Sequence, residues 1–122
     1  MRILVIDDTG AQRFIIKRLL QQECGIAASD IDEAENGEKG LEKTAGSEYG
    51  LIIVDWNMPV LDGLEFLKEI RKNRIMTPVV MVTSENEESK KESAVAAGAN
   101  HFLTKPFTGS ALLEILRNYI SK

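Results

Sequence analysis

The chain has 122 residues, of which 43% are hydrophobic and 28% charged, and its formal net charge is −4. This length fits one domain with a substantial core, and this composition excludes an intrinsically disordered chain. The net negative charge argues against nonspecific nucleic-acid binding. The single cysteine excludes an internal disulfide or a Cys-ligated zinc site. No apolar run reaches the roughly 20 residues that are needed to span a bilayer. We therefore expect one soluble, cytoplasmic, monomeric domain over residues 1–122, with no membrane or nucleic-acid partner.

Five short apolar runs, rich in β-branched residues, are typical of buried strands. In chain order they cover residues 3–6, a weaker run near 31–34, then 51–54, 79–82 and 101–104. Their continuous apolar character favours parallel strands covered on both faces, because antiparallel strands with one face in water would alternate.

Helical patterns lie between these runs. Apolar residues recur at helical spacing in 64–71, in 110–120 and in 12–23, where they are Ile15, Ile16, Leu19 and Leu20. A short helix is predicted over 38–43 and a polar one over 86–97. Five strands alternating with five helices predict an α/β fold with an open, doubly wound parallel sheet.

In such a sheet the binding crevice lies beyond the carboxyl ends of the strands. Four of the predicted strands end in side chains that can do chemistry there. In chain order these are Asp7 and Asp8, then Asp55, then Thr83 and Ser84, and finally Lys105 followed by Pro106.

The three aspartates predict a metal site. The carboxylates of Asp7, Asp8 and Asp55 would repel one another in one crevice, and an all-oxygen ligand set suits a hard divalent ion such as Mg²⁺. The alternative is that Asp7 or Asp8 is a polar loop residue that caps the helix over 12–23.

The positive charge of Lys105 allows two interpretations. Lys105 could form a plain salt bridge with Asp55, or it could join Mg²⁺ in binding the oxygens of a phosphoryl group in transfer. In the second case Asp55 is the nucleophile that becomes an aspartyl phosphate, and the Thr83 hydroxyl hydrogen-bonds a phosphoryl oxygen. The alternative for Thr83 is a capping role.

The segments ILVIDD, VDWNMPVLDG, VVMVTSE and FLTKPF, in this order and at these separations, resemble the response-regulator receiver domain over essentially the whole chain. Within that family DWNMP resembles the single-domain chemotaxis regulators. The resemblance implies a flavodoxin-like sheet of strand order 2-1-3-4-5. It also implies a two-component signalling switch, not an enzyme, that accepts a phosphoryl group from a sensor histidine kinase or a histidine phosphotransfer protein.

The resemblance also implies a role for each matching residue. Mg²⁺ is held by Asp7, Asp8, Asp55 and the backbone carbonyl of Asn57. The phosphoryl group on Asp55 contacts Thr83 and Lys105, and Phe102 changes rotamer on activation. The peptide bond between Lys105 and Pro106 is cis.

Two further positions bear on the phosphoryl group in the family. Asn57 and Glu85 tune the access of water to the acyl phosphate, which favours a short-lived state. Ser84 departs from the usual alanine or glycine and narrows the entrance for small donors. Gly10, near the start of the first helix, has no interpretation at this level.

The predicted helix over 86–97 has Val95 as its only large aliphatic residue and is expected to shift easily. Phosphorylation of Asp55 is expected to draw Thr83 inward, so that Phe102 fills the vacated space. The surface of the fourth helix, fifth strand and fifth helix would then be remodelled for a downstream protein partner, because no output domain is expected.

The aromatic residues and the histidine have structural interpretations. Phe14, Phe66 and Phe107 are expected in the core, and Trp56 is expected as a partly exposed ring beside the site. His101 is expected at the surface, because one histidine cannot build a metal site.

Three other functions use related features. A haloacid-dehalogenase-type phosphatase would need an acid two residues after the nucleophile, where Asn57 stands. A flavodoxin-like FMN carrier would need a phosphate loop after the first strand, where DDTGAQ places two negative charges. A protein-binding scaffold that is never phosphorylated would have no need of the complete set of acids, hydroxyl and lysine.

Overall fold

The computed structural model describes residues 1–84 and 88–119, and in these residues strands and helices alternate. The strands are β1 (Ile3–Ile6), β2 (Ile31–Ala34), β3 (Leu51–Asp55), β4 (Val79–Thr83) and β5 (His101–Thr104). The helices are α1 (Gly10–Gln22), α2 (Gly37–Gly46), α3 (Gly63–Lys72), α4 (Glu88–Ala97) and α5 (Gly109–Leu116). The predicted strands are confirmed, and β3 and β4 each extend one residue further, so that Asp55 and Thr83 are themselves strand residues.

The sheet is parallel, with strand order β2-β1-β3-β4-β5, which confirms the predicted doubly wound fold. Strand β1 lies between β2 and β3, and its Ile3 pairs with Ile31 on one side and Leu51 on the other. The chain therefore winds in opposite directions from the β1–β3 pair. A crevice opens at such a switch point, between the loops that follow the two strands.

The core has two layers because successive strand side chains point to opposite faces of the sheet. One face packs against α2, α3 and α4, and the other against α1 and α5. On β1, Leu4 and Ile6 face the first group of helices, and Ile3 and Val5 face the second. All four are essentially inaccessible to water.

Side-chain caps determine where four of the helices begin. The cap residues are Thr9 for α1, Asn36 for α2, Asp62 for α3 and Thr108 for α5. The oxygen of Thr9 accepts a hydrogen bond from the Gln12 N–H, so α1 begins at Gly10 and the alternative of an aspartate cap is wrong. The predicted start of the polar helix at residue 86 and the predicted end of the last helix at residue 120 lie outside the described residues.

Helix α1 buries a narrower stripe than predicted. Ile16 and Leu20 are buried against the sheet, but Ile15 is 51% exposed and Phe14, expected in the core, is 58% exposed. Leu19 packs partly buried beside these two residues, and α5 packs on the same face of the sheet. The expectations for Phe14 and Ile15 were therefore wrong.

The other structural assignments mostly hold. Phe66 is fully buried, and Phe107 packs partly buried against the α1–α5 side of the core. His101 is half-buried rather than on the open surface, since its Nε2 lies 2.7 Å from the hydroxyl of Tyr119. Burial lowers the pKa of the His101 imidazole. Within residues 1–84 and 88–119, no helix is long and apolar enough to cross a membrane.

Candidate functional site

The structure brings three carboxylates together at the carboxyl edge of the two central strands. Asp7 directly follows β1, and Asp55 ends β3, which pairs with β1 so that Ile6 lies beside Val54. Asp7 and Asp55 are only 2% and 6% exposed, whereas Asp8 is open to solvent. One carboxylate oxygen of each of the three lies within 4.8 Å of the others. The predicted convergence of these side chains is confirmed.

The ammonium group of Lys105 lies against this cluster. Its Nζ is 3.0 Å from Asp55 Oδ1 and 3.8 Å from Asp7 Oδ2. The peptide bond between Lys105 and Pro106 is cis, as the family resemblance implied. Three carboxylates face this one ammonium, so the cluster retains an excess of negative charge.

Burial has the largest effect on the central carboxylate and raises the pKa of Asp55. The hydrogen bond from Lys105 opposes this rise, and the negative charges of Asp7 and Asp8 add to it. The ionised form of Asp55 therefore depends on nearby positive charge. A cation in the crevice would favour it further.

Asp7 provides the test of whether a metal ion fits this site. Its Oδ1 accepts hydrogen bonds from the Thr9 N–H at 3.0 Å and the Thr9 hydroxyl at 3.3 Å. Its Oδ2 is buried and accepts no hydrogen bond from the described part of the chain. The Lys105 ammonium is too distant, at 3.8 Å, to hydrogen-bond this oxygen. A buried carboxylate oxygen without a hydrogen-bond donor is costly, and a divalent cation would satisfy it. The oxygen donors of Asp7, Asp8 and Asp55 thus fit Mg²⁺.

A buried hydroxyl lies on the strand next to β3. Thr83 ends β4 with no accessible surface, and the register that pairs Asp55 with Val82 places Thr83 at the same edge of the sheet. The backbone N–H of Lys105 donates to the Thr83 carbonyl at 2.7 Å, which ties the lysine to that strand end. Ser84 follows on the surface.

Trp56 connects the site to helix α4. Its ring is 7% exposed, so the expectation of a partly exposed ring was wrong. The ring of Phe102 packs against it edge to face at a centroid distance of 6.4 Å, and the ammonium of Lys90 lies 4.7 Å from its centroid. Phe102 is itself half-buried on β5. Trp56, the residue next to Asp55, is thus in contact with Phe102 on β5 and with helix α4, both of which belong to the predicted switch.

The loop after β3 returns the chain closely past the site. Gly63 donates its N–H to the Trp56 carbonyl at 2.9 Å, and a Cβ on Gly63 would lie 2.5 Å from the backbone oxygen of Asp55. Only glycine permits this approach, so Asp62-Gly63 carries the chain directly into α3, as predicted. Asn57 lies exposed in this loop, two residues after Asp55.

The structure shows two site neighbours that the sequence did not indicate. Arg13 on α1 donates to the backbone of Asp7, and Lys90 on α4 contacts Trp56. Neither belongs to a strand-end motif, and basic residues on helices are usually solvated, so no local pattern distinguishes them. The predicted tuning residue Glu85 lies outside the described residues.

The comparisons with known proteins agree with this geometry. The family model described as response regulator receiver domain matches residues 3–117. The chain is 38% identical over 119 residues to the chemotaxis protein CheY1 of Helicobacter pylori strain J99, covering 95% of this chain and 94% of that protein.

Two solved structures share the fold. The chemotaxis protein CheY4 of Vibrio cholerae is 33% identical, with a TM-score of 0.86 and coverage of 98% of both chains. The receiver domain of the sensor histidine kinase PA1611 of Pseudomonas aeruginosa is 26% identical, with a TM-score of 0.84 and coverage of 97% of this chain and 95% of that one. That structure holds a magnesium ion coordinated in its active-site cleft.

Proposed function

The chain belongs to the response regulator receiver family, a family of two-component signalling switches rather than classical enzymes, and we propose that Asp55 is its phosphorylated residue. The observation that carries this proposal is the buried pair of Asp7 and Asp55 facing Lys105, with one Asp7 oxygen left without a hydrogen-bond donor in the described part of the chain. A salt bridge between Lys105 and Asp55 alone leaves this oxygen without a donor, whereas a bound cation would satisfy it.

The proposed metal ligands are the carboxylates of Asp7, Asp8 and Asp55 and the backbone carbonyl of Asn57. Bound Mg²⁺ would supply positive charge for the phosphoryl oxygens. The proposal is supported by the oxygen donor set, by the 4.8 Å cluster and by the magnesium ion in the related kinase receiver domain.

In the proposed reaction, a carboxylate oxygen of Asp55 attacks the phosphorus of a phosphohistidine on a sensor kinase or a histidine phosphotransfer protein. The new P–O bond forms as the P–N bond breaks, and the electron pair of that bond leaves with the imidazole. Lys105 neutralises charge on the phosphoryl oxygens, and the Thr83 hydroxyl donates a hydrogen bond to one of them. Little covalent chemistry is asked of the protein, so placement of these groups accounts for most of the rate.

The output surface that we propose consists of α4, β5 and α5. Helix α4 presents Val95, which is 65% exposed, over a groove of about 540 Å³ that also reaches Phe102. Inward movement of Thr83 would let the Phe102 ring follow, and the Trp56 contacts would transmit the change to α4. A downstream protein would dock on the remodelled surface.

The lifetime of the aspartyl phosphate is proposed to depend on Asn57 and Glu85. The exposed position of Asn57 beside Asp55 supports its part in controlling water access. The amide of Asn57 cannot act as the second acid of a haloacid-dehalogenase-type phosphatase, so that alternative is not favoured. A scaffold that is never phosphorylated remains the rival that experiment must exclude.

The test is incubation with acetyl phosphate and Mg²⁺, followed by intact mass. One added phosphoryl group is expected on the wild-type protein and on Asp62→Asn, which changes a nearby aspartate but keeps an oxygen able to cap α3. None is expected on Asp55→Asn or when EDTA replaces Mg²⁺. A wild type and a Ser84→Ala variant that both stay unmodified would support the scaffold, because Ser84→Ala opens the entrance for small donors. A phosphoryl group that persists in Asp55→Asn would contradict the assignment of Asp55.

A further inference from the structure

Arg13 makes two hydrogen bonds that reach in opposite directions from α1. Its Nη1 donates to the backbone oxygen of Asp7 at 2.6 Å, and its Nε donates to Glu33 Oε1 on β2 at 2.8 Å. The side chain is only 19% exposed. The planar fork of the guanidinium holds both acceptors at once, which a lysine ammonium on a flexible stem does less well.

The Asp7 carbonyl lies beyond the regular pairing of the sheet. The ladder of β1 ends at Ile6, and the Asp7 N–H continues it only by donating to the Ala34 oxygen at 3.1 Å. Arg13 then holds the carbonyl of the same residue. The backbone of Asp7 is therefore held on both sides, by β2 through its N–H and by α1 through its C=O.

Glu33 fixes the guanidinium in turn. Its second oxygen, Oε2, accepts a hydrogen bond from Lys17 at 2.8 Å. The hydrogen bond from Lys17, more than that from Arg13, keeps the pKa of Glu33 low, so this carboxylate stays ionised. Both of its oxygens are engaged, which leaves Arg13 little freedom to turn away from Asp7.

The position of the Asp7 carboxylate follows from the position of its backbone. Its Oδ1 is already held by Thr9, so a shift of the Asp7 peptide would move the buried Oδ2 relative to Asp8 and Asp55. Groups that orient a metal ligand from outside the coordination shell strongly affect metal affinity.

We propose that Arg13, braced by Glu33, is a positioning residue that sets the Asp7 carboxylate for the divalent cation. This inference rests on the proposed function of the acid cluster as a Mg²⁺ site. It assigns to α1 and β2 a part in metal binding, although neither element carries a proposed ligand.

Charge and position predict opposite results, which makes a sharp test possible. Removing a positive charge near a cation site would tighten Mg²⁺ binding if electrostatics alone mattered. Loss of positioning would weaken it. Arg18→Ala is the matched control, because Arg18 is an exposed arginine of the same helix whose guanidinium lies over the Phe14 ring.

The experiment is a titration with Mg²⁺ alone, followed by the fluorescence of Trp56, the single tryptophan of the chain and the neighbour of Asp55. We expect Arg13→Ala to raise the dissociation constant about 10-fold and Arg13→Lys to raise it less. Arg18→Ala is expected to leave the constant unchanged or to lower it. Circular dichroism of each variant checks that it is folded, and Arg13→Lys carries the test if Arg13→Ala is not.

A metal-free measurement gives a second readout. Amide exchange at Thr9, whose N–H donates to Asp7, is expected to speed up several-fold in Arg13→Ala and not in Arg18→Ala. The inference is overturned if folded Arg13 variants bind Mg²⁺ as tightly as the wild type while the wild type binds it well. A wild type that binds no Mg²⁺ would instead overturn the proposed metal site, and this inference with it.

Discussion

Helices α3 and α4 cover the same face of the sheet but are held to it very differently. Helix α3 buries Phe66, Leu67 and Ile70 completely and begins in a capping box formed by Asp62 and Glu65. In the described part of α4, Ala94 is the only buried residue. Its one large aliphatic residue, Val95, expected to anchor the helix weakly, instead points to solvent.

The two ends of α4 also differ. At the carboxyl end, Arg71 of α3 donates two hydrogen bonds to the Gly98 oxygen, at 3.2 and 2.8 Å, and further bonds to the oxygens of Ile75 and Thr77. At the amino end, Lys90 lies over Trp56. Helix α3 is thus held by completely buried apolar side chains, whereas α4 depends more on polar contacts, made by Arg71 beyond its carboxyl end and by Lys90 at its amino end.

The largest effect should come from the core of α3. Phe66→Ala leaves a cavity between α3, α2 and β1 and is expected to cost about 3–5 kcal/mol of unfolding free energy. Val95→Ala on α4 should cost no more than about 0.5 kcal/mol, because that side chain is mostly in water. Urea denaturation of both variants measures the contrast, and similar losses would mean that α4 is anchored as firmly as α3.

Removing the Arg71 hydrogen bonds near the carboxyl end of α4 should have an intermediate effect on stability. Arg71→Ala leaves the carbonyls of Gly98, Ile75 and Thr77 without their donor and is expected to lower stability by about 2 kcal/mol. In this variant the rate of amide exchange should increase more at the carboxyl end of α4 than in α3. Arg74→Ala, which removes an exposed arginine nearby, is the control; if it matches Arg71→Ala, these hydrogen bonds have no special role.

The smallest effect is expected at the amino end of α4. Lys90→Ala removes the contact with the Trp56 ring, worth about 0.5–1 kcal/mol, and should speed amide exchange in α4 about two- to five-fold. Lys91→Ala removes the same charge from an exposed neighbouring position and should leave exchange and Trp56 fluorescence unchanged. Equal behaviour of the two variants would show that net charge, rather than the ring contact, matters.

The strand-end chemistry was predictable because it depends on simple rules. Apolar runs of strand length identify parallel strands, and parallel strands bring their carboxyl ends to one edge. The sequence alone therefore predicts that four side chains lie close together, namely those of Asp7, Asp55, Thr83 and Lys105. The helix caps escaped prediction in detail because Thr9 and Asp8 are both acceptable capping residues by sequence.

Burial on the helices was harder to predict. Phe14 and Ile15 were expected to be buried, yet both are more than half exposed, whereas Ile16 and Leu20 of the same helix pack in the core that α1 shares with α5. Trp56 contacts Phe102 and Lys90, which are far away in sequence and contribute to its burial. Apolar periodicity identifies the face of a helix that can pack against a core. It does not show how much of that face is buried, which depends on the neighbouring helices.

The sequence by itself determined the fold class, the strand order implied by family resemblance and the identity of the acids, hydroxyl and lysine at one sheet edge. These depend on local patterns and on the geometry that parallel strands share. The tertiary structure alone decided that a buried oxygen of Asp7 accepts no hydrogen bond from the described residues, that Arg13 holds the Asp7 backbone, that Arg71 binds the segment after α4 and that Lys90 contacts Trp56. Those contacts are made by long, flexible, charged side chains to residues that are distant in sequence. Which groups lie within their reach depends on how the helices pack, so the sequence does not indicate them.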